Sequence, residues 1–127
     1  MTPEIIAKAG TEFAHQCALF AQCALHMKIY PELRWFHSIQ NEEKSSSPIV
    51  GSRSKASGKK AGVSDCFLPV KRERYSGIYI EMKKPGGKAS KEQIEFGHFV
   101  TEQSFYFVVC YDWESAWKIL LWYLNLI

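Results

Sequence analysis

Apolar residues recur along the chain at two spacings, one near the helical period and one of two, and the switches between them mark its elements. Phe13, Cys17, Phe20, Ala21, Ala24 and Leu25 follow the helical spacing, and Thr11 stands where an N-cap belongs. The pattern predicts a helix from residue 11 to about residue 27 with that stripe toward the core. Glu12 and Gln16 lie four apart on an adjacent face, where they would be neighbours in space. Pro31 ends this region, and residues 34–39 read as a first strand. Residues 66–70 form a short apolar strand, 71–77 a polar turn, and 78–83 a strand with regular alternation. In that last strand Ile78, Ile80 and Met82 face the core, while Tyr79, Glu81 and Lys83 face the other way. Pro85-Gly-Gly87 breaks it. Ser90, with Gln93 three residues on, fits a capping box opening a helix to about residue 103. Residues 105–111 are almost purely apolar, as expected for a strand buried on both faces. Asp112 caps a last helix through about residue 125.

The order helix, strand, loop, strand, strand, helix, strand, helix describes an α/β protein with helices on both sides of a central mixed sheet. Strand 105–111 follows a helix that follows strand 78–83, so the two run parallel through a right-handed crossover. A length of 127 residues suits one domain over residues 1–127. A hydrophobic content of 46% with 23% charged residues excludes a disordered or collagen-like chain. Cys17, Cys23, Cys66 and Cys110 form no Cys-x-x-Cys pair and sit in apolar runs, which reads as buried reduced thiols rather than disulfides or a zinc site. The N-terminus lacks the basic start and long apolar core of a signal peptide. The longest apolar run, residues 119–124, is far short of a bilayer span. A cytoplasmic protein of a bacterial or phage-infected cell, with no membrane partner, is the expectation.

The total charge of +3 says little until it is divided by position. Residues 44–91 carry 12 Lys or Arg against Asp65, Glu73 and Glu81, a local net of +9. The remainder holds four bases and ten acids, a net of −6. Such a basic segment has the form of an electrostatic footprint for a polyanion. A solvated basic loop, here at about residues 41–61, has the same composition.

Asp65 stands at the mouth of one strand, and Glu81 and Lys83 share a face of the next. If the two strands pair as a hairpin, two carboxylates and an ammonium converge. Two hard oxygen anions suit Mg²⁺, which keeps waters for substrate, neutralises charge on a phosphate and lowers the pKa of a bound water. A lysine alongside can orient that water or stabilise transition-state charge. The alternative is an ordinary surface ion pair beside a turn aspartate.

Gly62-Val-Ser-Asp65, the intervening hairpin, Ile80-Glu-Met-Lys83 and then Gly86-Gly-Lys-Ala-Ser-Lys-Glu-Gln93 resemble the VRR-NUC (virus-type replication-repair nuclease) domain of the PD-(D/E)xK nuclease superfamily. The resemblance extends upstream to Glu12-x-x-x-Gln16 and Asn41-Glu42, and downstream through the apolar strand and closing helix. It implies a restriction-endonuclease-like α/β/α core. It further implies that Asp65, Glu81 and Glu12 are metal ligands together with the Met82 backbone carbonyl, and that Lys83 is the catalytic lysine. Gln93 matches a glutamine that helps order the site. Ser64 departs from the pattern, standing where a proline normally precedes the aspartate. Two of these residues have structural rivals: a capping box accounts for Gln93, and the helix dipole favours an acid at Glu12. His15, with His26, His37 and His98, reads as structural or surface. The segment 83–88 lacks the Walker spacing, so no nucleotide cofactor is expected, and reads as a basic turn on DNA backbone. Lys55, Lys59, Lys60, Lys71, Arg72, Arg74, Lys84 and Lys88 are the candidate phosphate contacts.

Trp113, Trp117, Leu120 and Leu124 make one apolar stripe on the closing helix, and Ile119, Trp122, Tyr123 and Leu126 a second. Such a helix must be covered on more than one side, either by a second copy of the chain or by wedging between the sheet and the first helix. Together these readings lead to a Mg²⁺-dependent endonuclease, with Mn²⁺ able to substitute, that resolves Holliday junctions in branched DNA as a homodimer through its C-terminal helix. A non-cleaving nucleic-acid-binding module or accessory subunit that keeps the nuclease fold, and an RNA-directed nuclease, are the alternatives.

Overall fold

The computed structural model describes residues 1–39 and 56–127, so Lys55, Asn41, Glu42 and most of the expected basic loop lie outside the described residues. The elements are α1 (Pro3–Ala7), α2 (Glu12–Leu25), a 3-10 turn (Pro31–Trp35), β1 (His37–Ser38), β2 (Cys66–Leu68), β3 (Ile78–Met82), α3 (Lys91–Glu102), β4 (Tyr106–Cys110) and α4 (Trp113–Leu124). The sheet order is β1-β2-β3-β4, with β1, β2 and β3 antiparallel in turn and β4 parallel to β3. Between β3 and β4 the chain passes through α3, which is the expected crossover.

Alternation in β3 divides the two layers. Ile78, Ile80 and Met82 are fully buried in the core with Leu19 of α2 and Ala116, Leu120 and Tyr123 of α4. On the other face Tyr79 stacks on Phe67 and meets Phe96 of α3 edge-on. Three caps foreseen in the sequence are present: Thr11 accepts from the Ala14 N–H, Ser90 and Gln93 form a reciprocal capping box, and Asp112 accepts from the Ser115 N–H.

Tertiary packing overrules the local reading in three places. In α2 the buried face is Ala14, His15, Ala18, Leu19 and Cys23, while Phe13 is 75% and Leu25 69% exposed. This helix carries two apolar stripes of equal period, and the small Ala14 and Ala18 turn inward. Residues 34–39 form only two residues of strand, because Pro31 opens a 3-10 turn rather than closing the region. Finally, β4 is an edge strand among the described residues, and Tyr106, Phe107, Val108 and Val109 are half-buried instead of covered on both faces. The short α1, capped by Thr2 and opened by Pro3, carries too little pattern to be read in advance.

The closing helix is wedged inside its own chain. β3 and α2 both pack against α4, and Tyr123 donates from its hydroxyl to the Val70 carbonyl at 2.6 Å. Trp122 is the one large apolar residue of α4 left exposed, and it lies 5.0 Å from the Tyr106 ring. Covering α4 therefore does not require a second chain. Among the described residues no helix is long and apolar enough to cross a membrane.

Gly97 fixes the distance between α3 and the sheet. A Cβ there would overlap the Phe107 ring. Gly97→Ala is therefore expected to destabilise the protein by about 1–3 kcal/mol through overpacking, and Phe107→Leu in the same chain should recover part of the loss. Urea unfolding of the two variants checks this; equal stability of Gly97→Ala and the parent would contradict it.

Candidate metal centre

The register places the carboxylates. Cys66 pairs with Ile80 in the antiparallel β2–β3 ladder, so Asp65 and Glu81 stand opposite one another one step beyond it. Asp65 is held at both ends: its carbonyl accepts from the Ile39 N–H at 2.7 Å, and its Oδ2 accepts from the Met82 N–H at 3.0 Å. A strand residue turns its N–H and C=O to the same edge, so the Met82 carbonyl faces the Asp65 edge as well. Glu12 arrives from the first turn of α2, across the layer boundary. One carboxylate oxygen from each of Glu12, Asp65 and Glu81 lies within 4.8 Å of the others.

Lys83 continues the alternation of β3 past its end, where its N–H donates to the Cys110 carbonyl at 2.8 Å. Its ammonium stands 3.9 Å from Glu12 Oε2 and 4.0 Å from Glu81 Oε2. Gln93 holds two positions at once. Its Oε1 accepts from the Ser90 N–H at 2.7 Å as the return half of the capping box, and its Nε2 donates to Glu81 Oε2 at 3.1 Å. The cap and the site role are thus the same side chain.

Glu81 has no exposed surface, and its Oε1 is buried without a hydrogen-bond partner. Burial, reinforced by the adjacent Asp65 and by Glu12, pushes its carboxyl up to about 10, against the pull of Lys83. With Glu81 ionised, the three carboxylates carry more negative charge than the Lys83 ammonium offsets, an excess that a divalent cation balances. Oxygens across a Mg²⁺ ion stand about 4 Å apart, so a small side-chain movement closes this cluster on an ion. The orphaned Oε1 and the all-oxygen donor set fit such an ion.

The structure separates the expected phosphate contacts into two groups. Lys60, Lys84 and Lys88 are exposed on the segments flanking Asp65 and Lys83, at the carboxylate end of the sheet, and Lys59 is half-buried on the same approach. Gly62 draws that approach against the first turn of α3: at φ +93° a Cβ would lie 2.5 Å from the Glu92 carbonyl oxygen. Lys71, Arg72 and Arg74 belong instead to the turn before β3, about 15 Å away along the strand. Arg72 is a structural clamp, bonded to Glu32 at 2.6 Å and to the Leu124 carbonyl at 3.2 Å, where it neutralises the C-terminal end of α4. Arg74 lies over the Tyr75 ring. Of the histidines read as structural or surface, His15 is structural: it is buried and accepts from the Trp113 N–H at 3.1 Å. The signal was available: a polar residue in phase with Ala18, Leu19 and Cys23 on an apolar face.

A mixed sheet with helices on both faces, carrying carboxylates and a lysine at the end of a central strand, is a restriction-endonuclease-like α/β/α core. Its sequence matches the VRR-NUC domain over residues 20–113, and the chain belongs to that family. The matched span contains Asp65, Glu81, Lys83 and Gln93 but not Glu12, so Glu12 is placed by geometry alone. The solved structure of a VRR_NUC domain protein superposes with a TM-score of 0.76 at 22% identity, over 91% of this chain and 88% of that one. This likeness shows a common fold. Curated protein sequences gave no significant match.

The state of Glu81 predicts a pH dependence. The folded chain keeps a proton on Glu81 that the unfolded chain has lost above about pH 4.5, so this group's contribution to stability falls as pH rises toward 10. In metal-free protein, Glu81→Gln should match the parent near pH 5 and exceed it in urea midpoint near pH 9. Divalent cation should raise the parent's midpoint and leave the variant's unchanged. Parallel pH profiles for the two proteins would contradict this account.

Proposed function

We propose that this chain is a divalent-metal-dependent DNA endonuclease that hydrolyses phosphodiester bonds in branched DNA and resolves Holliday junctions as a homodimer. The observation that carries this reading is the convergence of Glu12, Asp65 and Glu81 within 4.8 Å, with Lys83 within 4.0 Å of two of them. The oxygen donors suit Mg²⁺, and Mn²⁺ satisfies the same ligands. Asp65, Glu81, Glu12 and the Met82 carbonyl would hold the ion. When bound, it supplies neutralisation of phosphate charge and a more acidic coordinated water.

The chain's own residues do the rest. Lys83 brings an ammonium to the cluster, placed to orient the attacking water and to stabilise charge on the phosphate. Gln93 fixes the rotamer of Glu81 by holding Oε2, which leaves Oε1 for the cation. Lys60, Lys84 and Lys88 position the DNA backbone without reading its sequence. Residues 1–127 act as one domain. In a homodimer a second copy brings a second centre to the opposing strand, the geometry that cutting a four-way junction requires.

The test is incubation with labelled four-way junction, flap and linear duplex DNA in Mg²⁺ and in EDTA. Branched substrates should be cut preferentially and only with metal, and Asp65→Asn, Glu81→Gln and Lys83→Ala should each lower the rate by about 10²–10⁴-fold. Salt-sensitive binding without product would favour a non-cleaving module, and faster cleavage of RNA of the same shape an RNA-directed nuclease. A light-scattering mass near that of one chain would remove the two-centre argument.

A further inference from the structure

Glu12 is half-buried, its side chain 43% accessible, and it sits on a helix that reaches the centre from the opposite layer. Repulsion from the neighbouring Asp65 carboxylate pushes it outward. Lys83, at 3.9 Å, draws it in with one long flexible side chain. How near the cluster Glu12 stands depends on how α2 is seated against α4.

His15 lies one turn beyond Glu12 and turns into the core, 8% exposed. Its Nδ1 accepts from the Trp113 N–H at 3.1 Å, a bond between positions 98 apart in sequence. The Trp113 N–H is one of the donors that a helix start leaves unpaired, and Asp112 is already engaged with Ser115 at 2.7 Å. Accepting at Nδ1 leaves the ring proton on Nε2. Trp113 follows closely on Cys110, whose carbonyl accepts from the Lys83 N–H at 2.8 Å. A short path thus runs from α2 through the start of α4 and the end of β4 to the end of β3.

We propose that His15 is a positioning residue of the metal centre: its bond to the Trp113 N–H sets the height and rotation of α2, and so brings the Glu12 carboxylate to Asp65 and Glu81. The inference rests on the reading of Glu12 as a metal ligand. Asn is the conservative replacement, since its Oδ1 falls near the Nδ1 position. Gln places its oxygen nearer the Nε2 position and keeps bulk and polarity without this bond.

The experiment is titration of the full chain with Mn²⁺, followed by calorimetry, for the parent, His15→Asn, His15→Gln, His15→Leu, Glu12→Gln and the double variant Glu12→Gln/His15→Gln. His15→Gln and His15→Leu should weaken Mn²⁺ binding by about 10-fold or more, as loss of a ligand's supporting contact does, and His15→Asn should stay close to the parent. In the Glu12→Gln background His15→Gln should cause no further loss. If His15→Leu fails to fold, the Asn and Gln pair carries the comparison. Unchanged affinity in His15→Gln, equal loss in His15→Asn, or an undiminished effect in the Glu12→Gln background each overturns the proposal. Unchanged affinity in Glu12→Gln alone would instead remove Glu12 from the ligand set.

Discussion

A carboxyl group with no exposed surface, set beside two others, is the constraint around which this molecule is arranged. An isolated carboxylate in that position would simply take up a proton, as Glu81 does when nothing balances it. Holding three such groups together demands that each be fixed by something other than attraction to its neighbours. The structure supplies a separate fixture for each. Asp65 is held by the Ile39 and Met82 amides, Glu81 by its strand and Gln93, and Glu12 by the seat of α2 against α4. Lys83 contributes positive charge to the group, within 4.0 Å of two of the three acids.

Features that depend on neighbours in sequence were legible beforehand. The alternation of β3, the three helix caps and the parallel crossover all follow from spacings of a few residues, and the structure reproduces them. The acidic pair and Lys83 were legible for the same reason, because a period of two puts Glu81 and Lys83 on one face. What the sequence hid depends on contacts between distant segments. Spacing alone could not choose between the two apolar stripes of α2, since both have the helical period; packing against α4 decides. Nor could composition distinguish an apolar strand at the centre of a sheet from β4 at its edge. Arg72 shows the same limit for charge. It sits in a basic turn, yet the carbonyl end of α4 and Glu32 already occupy it.

Gln93 and Glu12 teach something different about rival readings. Each had a purely local explanation, a capping box for one and the helix dipole for the other. Gln93 keeps that local role and still reaches Glu81, because an amide offers an acceptor and a donor at opposite corners. Glu12 likewise occupies the first turn of α2 and lies in the carboxylate cluster. A local account of a residue therefore says nothing against a second role when the side chain has unused valence.

Ser64 tests whether the centre tolerates a looser approach. In the pattern it resembles, a proline stiffens the residue before the aspartate; here a serine leaves φ free and buries a hydroxyl without a partner. Both changes favour a more mobile Asp65, and a mobile ligand would weaken the whole cluster. The compensation lies on either side of it. Gly62 lets the incoming chain lie directly against the Glu92 backbone, so the segment is fixed by contact with α3 two residues earlier. The Ile39 amide then ties the Asp65 carbonyl into the edge of the sheet at 2.7 Å. Rigidity that a single ring provides locally is supplied in this chain by packing and pairing, and it therefore depends on α3 being in place. The same helix also holds Glu81 through Gln93. Packing of α3 on the sheet therefore contributes to the placement of two of the three acids, of Glu81 directly through Gln93 and of Asp65 through the segment that leads into it.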